Sequence, residues 1–135
     1  MGLDQQVYLV KKRRGLKDFY HKDKKFPNEL ESMNEQGYFR KEYAVQEFMY
    51  ELAQKKGLKT KDEFYGTPMR IKAKDLKELY YLAEDTKKLE ELADKWSTNA
   101  WDYNEFDTEK IRWFCKNVMK EIAFGDYVAY YESDW

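Results

Sequence analysis

Three stretches of the chain repeat apolar residues every three or four positions, the spacing that lines one face of an α-helix. The first runs from Tyr38 to about Gln54, with Gly57 as a stop signal. The second begins with Asp75 as the predicted N-cap, and residues 86–96 either extend it or begin another helix. The third follows Asp107 and has the cleanest period. The three stripes are Val45, Phe48, Met49 and Leu52; Leu76, Leu79, Tyr80 and Ala83; and Ile111, Phe114, Cys115, Val118, Met119 and Ile122.

Shorter segments rich in β-branched and aromatic residues predict strands before, between and after these helices. The predicted strands are 7–14, 69–73 and 127–135. Polar segments predict loops at 16–37, with a short helix near Pro27–Met33, and at 56–68, and they predict a loop or an irregular strand at 97–106. This mixture is typical of an α+β fold, a small antiparallel sheet with about three main helices packed on one face. A chain of 135 residues suits a single domain over residues 1–135.

Composition and charge limit the kinds of protein to which this chain can belong. Aromatic residues make up 18% of the chain, which argues against disorder. Cys115 is the one cysteine, so no intramolecular disulfide can form and a reducing cytoplasm is expected. Neither a signal peptide nor a membrane-spanning run is recognisable, so we expect a cytoplasmic protein. The net charge of −1 divides unevenly, with +5 over residues 1–25, +1 over 26–74 and −7 over 75–135. This favours either contact between the two ends or a basic face and an acidic face that are presented to partners.

Three short motifs resemble a family of small phage and prophage proteins. The chain begins "MGLD" with a "YL" strand after it, carries "GYFRK" at 37–41 where the family has Gly-Tyr-Trp-Arg-Lys, and ends with "YYESDW" at 130–135. It departs from the family by Gln5-Gln6, by Tyr43 in place of a small amide, and by Gln46 in place of a common histidine. The resemblance implies a phage or mobile-element origin, one α+β domain and expression inside a bacterial host cell.

No catalytic pattern stands out in the sequence. His21 has no second histidine or cysteine at metal-ligand spacing, and Cys115 lies on the apolar stripe of the third helix, where it is predicted to pack as a small hydrophobe. Glycine-rich phosphate loops, GxSxG and HExxH are all missing from the sequence. We therefore predict no catalytic residues, no metal and no cofactor, and the question of enzyme activity stays open but leans towards none.

A protein-binding surface is the preferred functional interpretation. Trp113 lies about 200° around its helix from Ile111, off the buried stripe, and an exposed Trp is a natural interface anchor. Acidic and aromatic residues alternate in segments 101–107 and 125–135, which suits a basic partner. With the resemblance, this predicts a non-catalytic phage or prophage protein that binds and inhibits a host defence or nucleic-acid-handling protein, for example as an anti-CRISPR. The predicted partner-binding residues are Trp101, Asp102, Tyr103, Trp113, Tyr130, Tyr131, Glu132 and Asp134.

Two alternatives remain. The first is a small-anion or nucleotide pocket, in a binding protein or an enzyme, where the family-like motifs meet; its residues are Asp4, Arg40, Lys41, Ser133 and Trp135. Arg40 could instead be an internal clamp on Asp4 and the C-terminal acids. The second is direct nucleic-acid binding by the basic run Lys11–Arg14 and the lysines that follow it. This is less favoured, because strand residues alternate between faces and the isoelectric point is about 6.0.

Overall fold

The computed structural model describes residues 3–20, 31–32, 38–96 and 108–134 of the chain. Its centre is an antiparallel sheet in the order β2-β1-β5-β4, with β3 pairing the beginning of β1 on the same side as β2. The strands are β1 (Asp4–Lys11), β2 (Glu31–Ser32), β3 (Tyr38–Arg40), β4 (Met69–Ile71) and β5 (Tyr127–Asp134). The α+β class with a small antiparallel sheet is confirmed.

The two ends of the chain form the middle of the sheet. β1 and β5 pair along their full length, from Asp4 opposite Asp134 to Lys11 opposite Tyr127. Neighbouring residues of a strand point to opposite faces, so Gln5 and Val7 face one side of the sheet while Asp4 faces the other. The two ends of the chain therefore lie side by side, which is one of the two arrangements that the charge distribution left open.

The described residues form five helices, which lie on one face of this sheet and enclose the main core. They are α1 (Tyr43–Lys55), α2 (Lys61–Phe64), α3 (Ala73–Leu82), α4 (Thr86–Trp96) and α5 (Thr108–Phe124). The predicted stripe of α5 is buried at Ile111, Phe114, Cys115 and Val118, and Phe114 meets Phe39 of β3 edge-on, with 4.7 Å between ring centroids. Nothing in the described ranges forms a helix long and apolar enough to cross a bilayer.

We call the opposite face of the sheet the outer face, and the described residues cover it at one end. There Val10, Val128 and Tyr130 form a small second cluster with Tyr20. Segment 12–20 crosses this end from β1 to the edge strand β4, where Tyr20 donates its N–H to Pro68 and the Arg70 N–H is donated to Asp18. The other end of the outer face carries polar residues.

The predicted start of the first helix is wrong. Residues 38–40 form β3, and α1 begins at Tyr43. Lys41 takes a left-handed backbone with φ of 56° and donates its N–H to Leu3 at 2.7 Å, which turns the chain from strand to helix. The cations Arg40 and Lys41 therefore precede the helix and do not sit in its first turn. Gly57, with φ of 107°, follows the end of α1 as predicted.

Other strands and helices begin or end at residues different from those predicted. β1 covers 4–11, where 7–14 was predicted, and residues 31–32 form a strand instead of part of a short helix. The N-cap of α3 is Lys72, and Asp75 lies in the first turn, where its carboxylate accepts the Lys72 N–H at 2.9 Å. α4 is a separate helix, because Asp85 accepts the N–H groups of its first turn. His21, Asp107 and the 97–106 loop lie outside the described residues.

Candidate functional site

The strands that carry the three sequence motifs lie side by side, with β3 and β5 on either side of the beginning of β1. Beside them is a buried cluster that we call the motif junction. It consists of Gln5 on β1, Gln46 on α1, and Tyr131 and Ser133 on β5, of which the two β5 residues belong to a motif. Gln5 donates from Nε2 to the Tyr131 hydroxyl at 2.9 Å, and that hydroxyl donates to Gln46 Oε1. Gln46 donates from Nε2 to Ser133 Oγ at 2.7 Å. One continuous chain of hydrogen bonds thus links two strands and a helix.

The junction also fixes the turn into α1. Gln5 accepts the Glu42 N–H at 2.8 Å and donates to the Glu42 carbonyl at 2.9 Å, so a side-chain amide satisfies the backbone of the residue before the helix. All four junction side chains are fully or almost fully buried. Polar groups in a core are stabilising only when they are paired, as these are.

The chemistry of the junction is that of a scaffold. Burial raises the pKa of the Tyr131 phenol above its ordinary value, and this effect outweighs the hydrogen bond from Gln5, which lowers the pKa. The phenol therefore stays neutral. The amides of Gln5 and Gln46 do not titrate. Gln46 occupies the position where the resemblance leads one to expect a histidine, and as a paired amide it cannot serve as a general base.

The predicted anion pocket does not assemble in one place. Asp4 pairs with Arg40 on one side and with Asp134 on the other, so these three side chains form a row on the outer face. Ser133 points the opposite way, is 1% exposed and is engaged by Gln46. Lys41 is exposed in the turn after β3, and Trp135 lies outside the described residues. The row does fit the alternative in which Arg40 is an internal clamp, because Arg40 and Asp4 lie directly opposite each other.

A groove on the helical side is lined by Trp113, whose exposure follows the prediction from helical phase. Trp113 on α5 is 47% exposed. It lines a groove of about 490 Å³ between α5 and the α3–α4 connection, together with Tyr80, Glu84 and Arg112. The Arg112 guanidinium lies 4.3 Å from the centre of the Tyr80 ring and 3.2 Å from Glu84 Oε1. These two contacts hold the wall beside Trp113 in place, and we call this site the Trp113 groove.

The remaining predicted partner-binding residues do not join this groove. Tyr130 and Tyr131 are both fully buried, which corrects their assignment to a surface. Tyr130 fails as a surface residue because segment 12–20 covers it, with its hydroxyl donating to the Lys17 carbonyl at 2.6 Å. Glu132 is half-buried and Asp134 exposed, both on the outer face, away from the helices. Trp101, Asp102 and Tyr103 lie outside the described residues.

No family model, curated protein or solved structure matches this chain. The likeness to the phage and prophage family is therefore a prediction that depends on the quoted motifs alone. The geometry of the sites has to carry the functional argument.

One buried titratable group escaped the sequence analysis. Glu47 on α1 is 5% exposed, and its carboxyl is hydrogen-bonded to that of Glu51 one turn later. Burial, followed by Glu51, raises the pKa of Glu47 to about 7, against the opposing effect of Lys61 and Lys95. The two glutamates are four positions apart, which puts them on one helix face, but their burial depends on the helices that cover them.

Cys115 behaves as predicted. Its thiol is fully buried on the core side of α5, and burial raises its pKa to about 12, so the reactive thiolate does not form near neutral pH. Within the described ranges, no three His, Cys, Asp or Glu side chains gather in a way that could hold a metal ion.

Proposed function

We propose that this chain is a non-catalytic phage or prophage protein that binds a bacterial host protein through the Trp113 groove and inhibits it. The supporting observation is a half-exposed tryptophan at a groove whose neighbouring wall is fixed by two contacts of Arg112. Phage origin and a host target come from the sequence resemblance. Inhibition of a defence protein that handles nucleic acid, as anti-CRISPR proteins do, is the concrete form of the proposal.

A fixed aromatic anchor is what supports binding at this groove. Tryptophan, tyrosine and arginine are enriched among the few residues that carry most of the binding energy of a protein interface. Trp113 and Tyr80 supply apolar surface, and Arg112 is already ordered by its stacking on Tyr80 and its ion pair with Glu84. Little side-chain entropy is lost when such a site is covered.

The charges that line the groove suit a different kind of partner from the basic one that the sequence predicts. Arg112 and Lys116 face Glu84 and Glu109 along its lining, so the groove is electrically balanced. Of the carboxylates expected to attract a basic partner, Glu132 and Asp134 lie on the outer face, and Asp102 lies outside the described residues. The partner segment that fits is therefore one with an apolar side chain for Trp113 and polar groups of both signs around it.

The anion-pocket alternative receives less support. Its serine is buried and faces the helices, whereas its arginine and aspartate lie on the outer face. A single small ligand cannot reach both sides of a sheet. We therefore do not advance it as a second function.

The test compares two aromatic residues of α5. Immobilised wild-type protein, the Trp113→Ala variant and the Phe124→Ala variant are each used to capture proteins from a bacterial lysate, and the captured proteins are identified by mass spectrometry. Phe124 is the matched control, since it is 85% exposed on the same helix but does not line the groove. A captured protein is then purified and titrated against all three.

We expect Trp113→Ala to weaken binding by about 30-fold, which corresponds to a hot-spot residue worth about 2 kcal/mol. Phe124→Ala should bind as the wild type does, and adding the wild-type protein should lower the activity of the captured partner. Equal affinity of the wild type and Trp113→Ala would overturn the assignment of the groove. A partner whose activity is unchanged when bound would overturn inhibition.

A further inference from the structure

Two basic regions that are far apart in the sequence meet at one end of the molecule. The first is the end of β1 and the segment after it, with exposed side chains at Lys11, Lys12, Arg13, Arg14 and Lys17. Because β1 ends at Lys11, residues 12–14 lie beyond the strand. The alternation of strand residues between two faces, which argued against a shared basic surface, therefore does not apply to them.

The second region surrounds a pocket of about 420 Å³ between the end of α1 and the beginning of α3. Four lysines line it: Lys55, Lys56, Lys72 and Lys74. Three of these side chains are exposed, and Lys56 is held in place by a 2.6 Å hydrogen bond to the Arg70 carbonyl. The cavity is thus bounded by cations from two helices.

Asp18 connects the two regions. It lines the lysine pocket, lies 3.4 Å from Lys56 Nζ, and accepts the Arg70 N–H through its backbone carbonyl at 2.8 Å. Lys17 is its neighbour, and Arg14 is four residues away, a distance of at most about 14 Å along an extended chain. The two basic regions therefore adjoin each other at Asp18, and we call them together the basic surface.

The acids at this surface offset only part of its charge. Asp18 is paired with Lys56, and the Asp75 carboxylate accepts the Lys72 N–H as the first-turn cap of α3. Glu78 is the third acid of the pocket. Asp126, whose carbonyl accepts the Lys12 N–H, is an exposed acid beside the first region. Against these four acids stand nine lysines and arginines from the two regions, so the local charge is positive although the whole chain carries −1.

We propose that this basic surface binds the phosphate backbone of double-stranded nucleic acid. Clustered cations neutralise phosphates and release the counterions condensed on them, which is the main source of non-specific affinity. The nearby aromatic residues Phe19 and Tyr20 are half-buried and buried, so they offer no exposed platform for stacking single-stranded bases. This favours a duplex. The acidic residues Asp4 and Asp134 lie at the far end of β1 and β5, roughly 24 Å away along the strand, where they repel the duplex little.

The experiment measures the binding of a fluorescent 25-base-pair DNA duplex by anisotropy between about 50 and 200 mM salt. The variant Lys55→Gln/Lys72→Gln/Lys74→Gln removes three cations of the pocket. The matched control, Lys87→Gln/Lys88→Gln/Lys120→Gln, removes three exposed cations from α4 and α5, so both variants have the same net charge. Thermal melting establishes that both are folded.

We expect the pocket variant to bind at least about tenfold more weakly than the control, with a salt slope shallower by up to about three. A labelled single strand of the same length should bind more weakly than the duplex. The proposal is overturned if the wild type does not bind at the lowest salt, or if both variants weaken equally. It is also overturned if a phosphorylated peptide or the single strand binds more tightly than the duplex. If either triple variant is unfolded, the single variants Lys72→Gln and Lys87→Gln are compared by the same criteria.

Discussion

The motif junction and the Trp113 groove are opposite kinds of site. The junction lies where the strands that carry the three sequence motifs come together, yet its side chains are buried and hydrogen-bonded to one another. The groove belongs to no motif, yet it presents a half-exposed tryptophan beside an ordered arginine. Residues next to recognisable motifs can therefore have a structural role, while a surface that no motif marks is the better candidate for binding.

The largest effect on stability should come from the junction. Replacing Gln46 with Ala removes one acceptor and one donor, and leaves the hydroxyls of Tyr131 and Ser133 each one partner short in a buried site. We expect the free energy of unfolding to fall by about 3 kcal/mol, because each unsatisfied buried group costs about 1–3 kcal/mol. Urea unfolding monitored by circular dichroism measures the change.

Gln54→Ala provides the control for this prediction. Gln54 lies on the same helix, is exposed and makes only a 3.4 Å contact with the Tyr50 hydroxyl, so its replacement should change stability by less than about 0.5 kcal/mol. If the two variants were equally stable, the junction would not be the scaffold described above.

Glu47 should make stability depend on pH. Its pKa is raised from an ordinary value of 4.5 to about 7 in the folded state, so the folded protein binds the proton more tightly than the unfolded chain does. This tighter proton binding contributes to the free energy of unfolding. The contribution is fully present below about pH 4.5 and is lost as the pH rises to about 7. Glu47→Gln, which keeps a neutral side chain, should match the wild type near pH 4.5 and be more stable at pH 8.

The measurement is a series of urea unfolding curves from pH 4.5 to 8 for the wild type, Glu47→Gln and Glu90→Gln, an exposed glutamate of α4. Other carboxylates contribute their own pH dependence, so the informative quantity is the difference between variant and wild type. A constant difference for Glu47→Gln across this range would contradict a shared proton between Glu47 and Glu51.

The outer-face row should have a smaller effect. Arg40 and Asp4 are opposed across β3 and β1, and both are exposed, so water screens their attraction. Arg40→Gln should lower the free energy of unfolding by less than about 1 kcal/mol, and the loss should shrink as salt increases. Thermal melting at low and high salt measures it. A loss as large as that of Gln46→Ala would mean that the clamp, and not the junction, fixes the two ends.

The features that the sequence predicted correctly are those that depend on residues close together in the chain. The stripe of α5 and the exposure of Trp113 follow from helical phase alone, because every residue of a helix turns by about 100° from the last. The α+β class follows from the mixture of elements. From the sequence alone, the residues of β3 resemble the beginning of a helix. They form a strand because they pair with β1, since a short strand is stabilised by its partner.

The features that sequence reasoning missed depend on contacts between distant segments. Tyr130 is buried because segment 12–20, more than a hundred residues earlier, crosses over it. The lysine pocket forms because the end of α1 meets the beginning of α3, and the burial of Glu47 depends on the packing of several helices. Alternation along β5 correctly puts Tyr130 and Tyr131 on opposite faces, but it cannot tell that both faces are covered there.

The most direct test of the central claim is a paired measurement on Gln46→Ala and Trp113→Ala: the melting temperature of each, and its affinity for the captured host protein well below melting. We predict that Gln46→Ala melts at least about 8 °C lower than the wild type and keeps its affinity, since about 3 kcal/mol shifts melting by several degrees in a domain of this size. Trp113→Ala should melt within about 2 °C of the wild type and bind about 30-fold more weakly. The reverse pattern, with affinity lost at the junction and stability lost at the groove, would contradict the account.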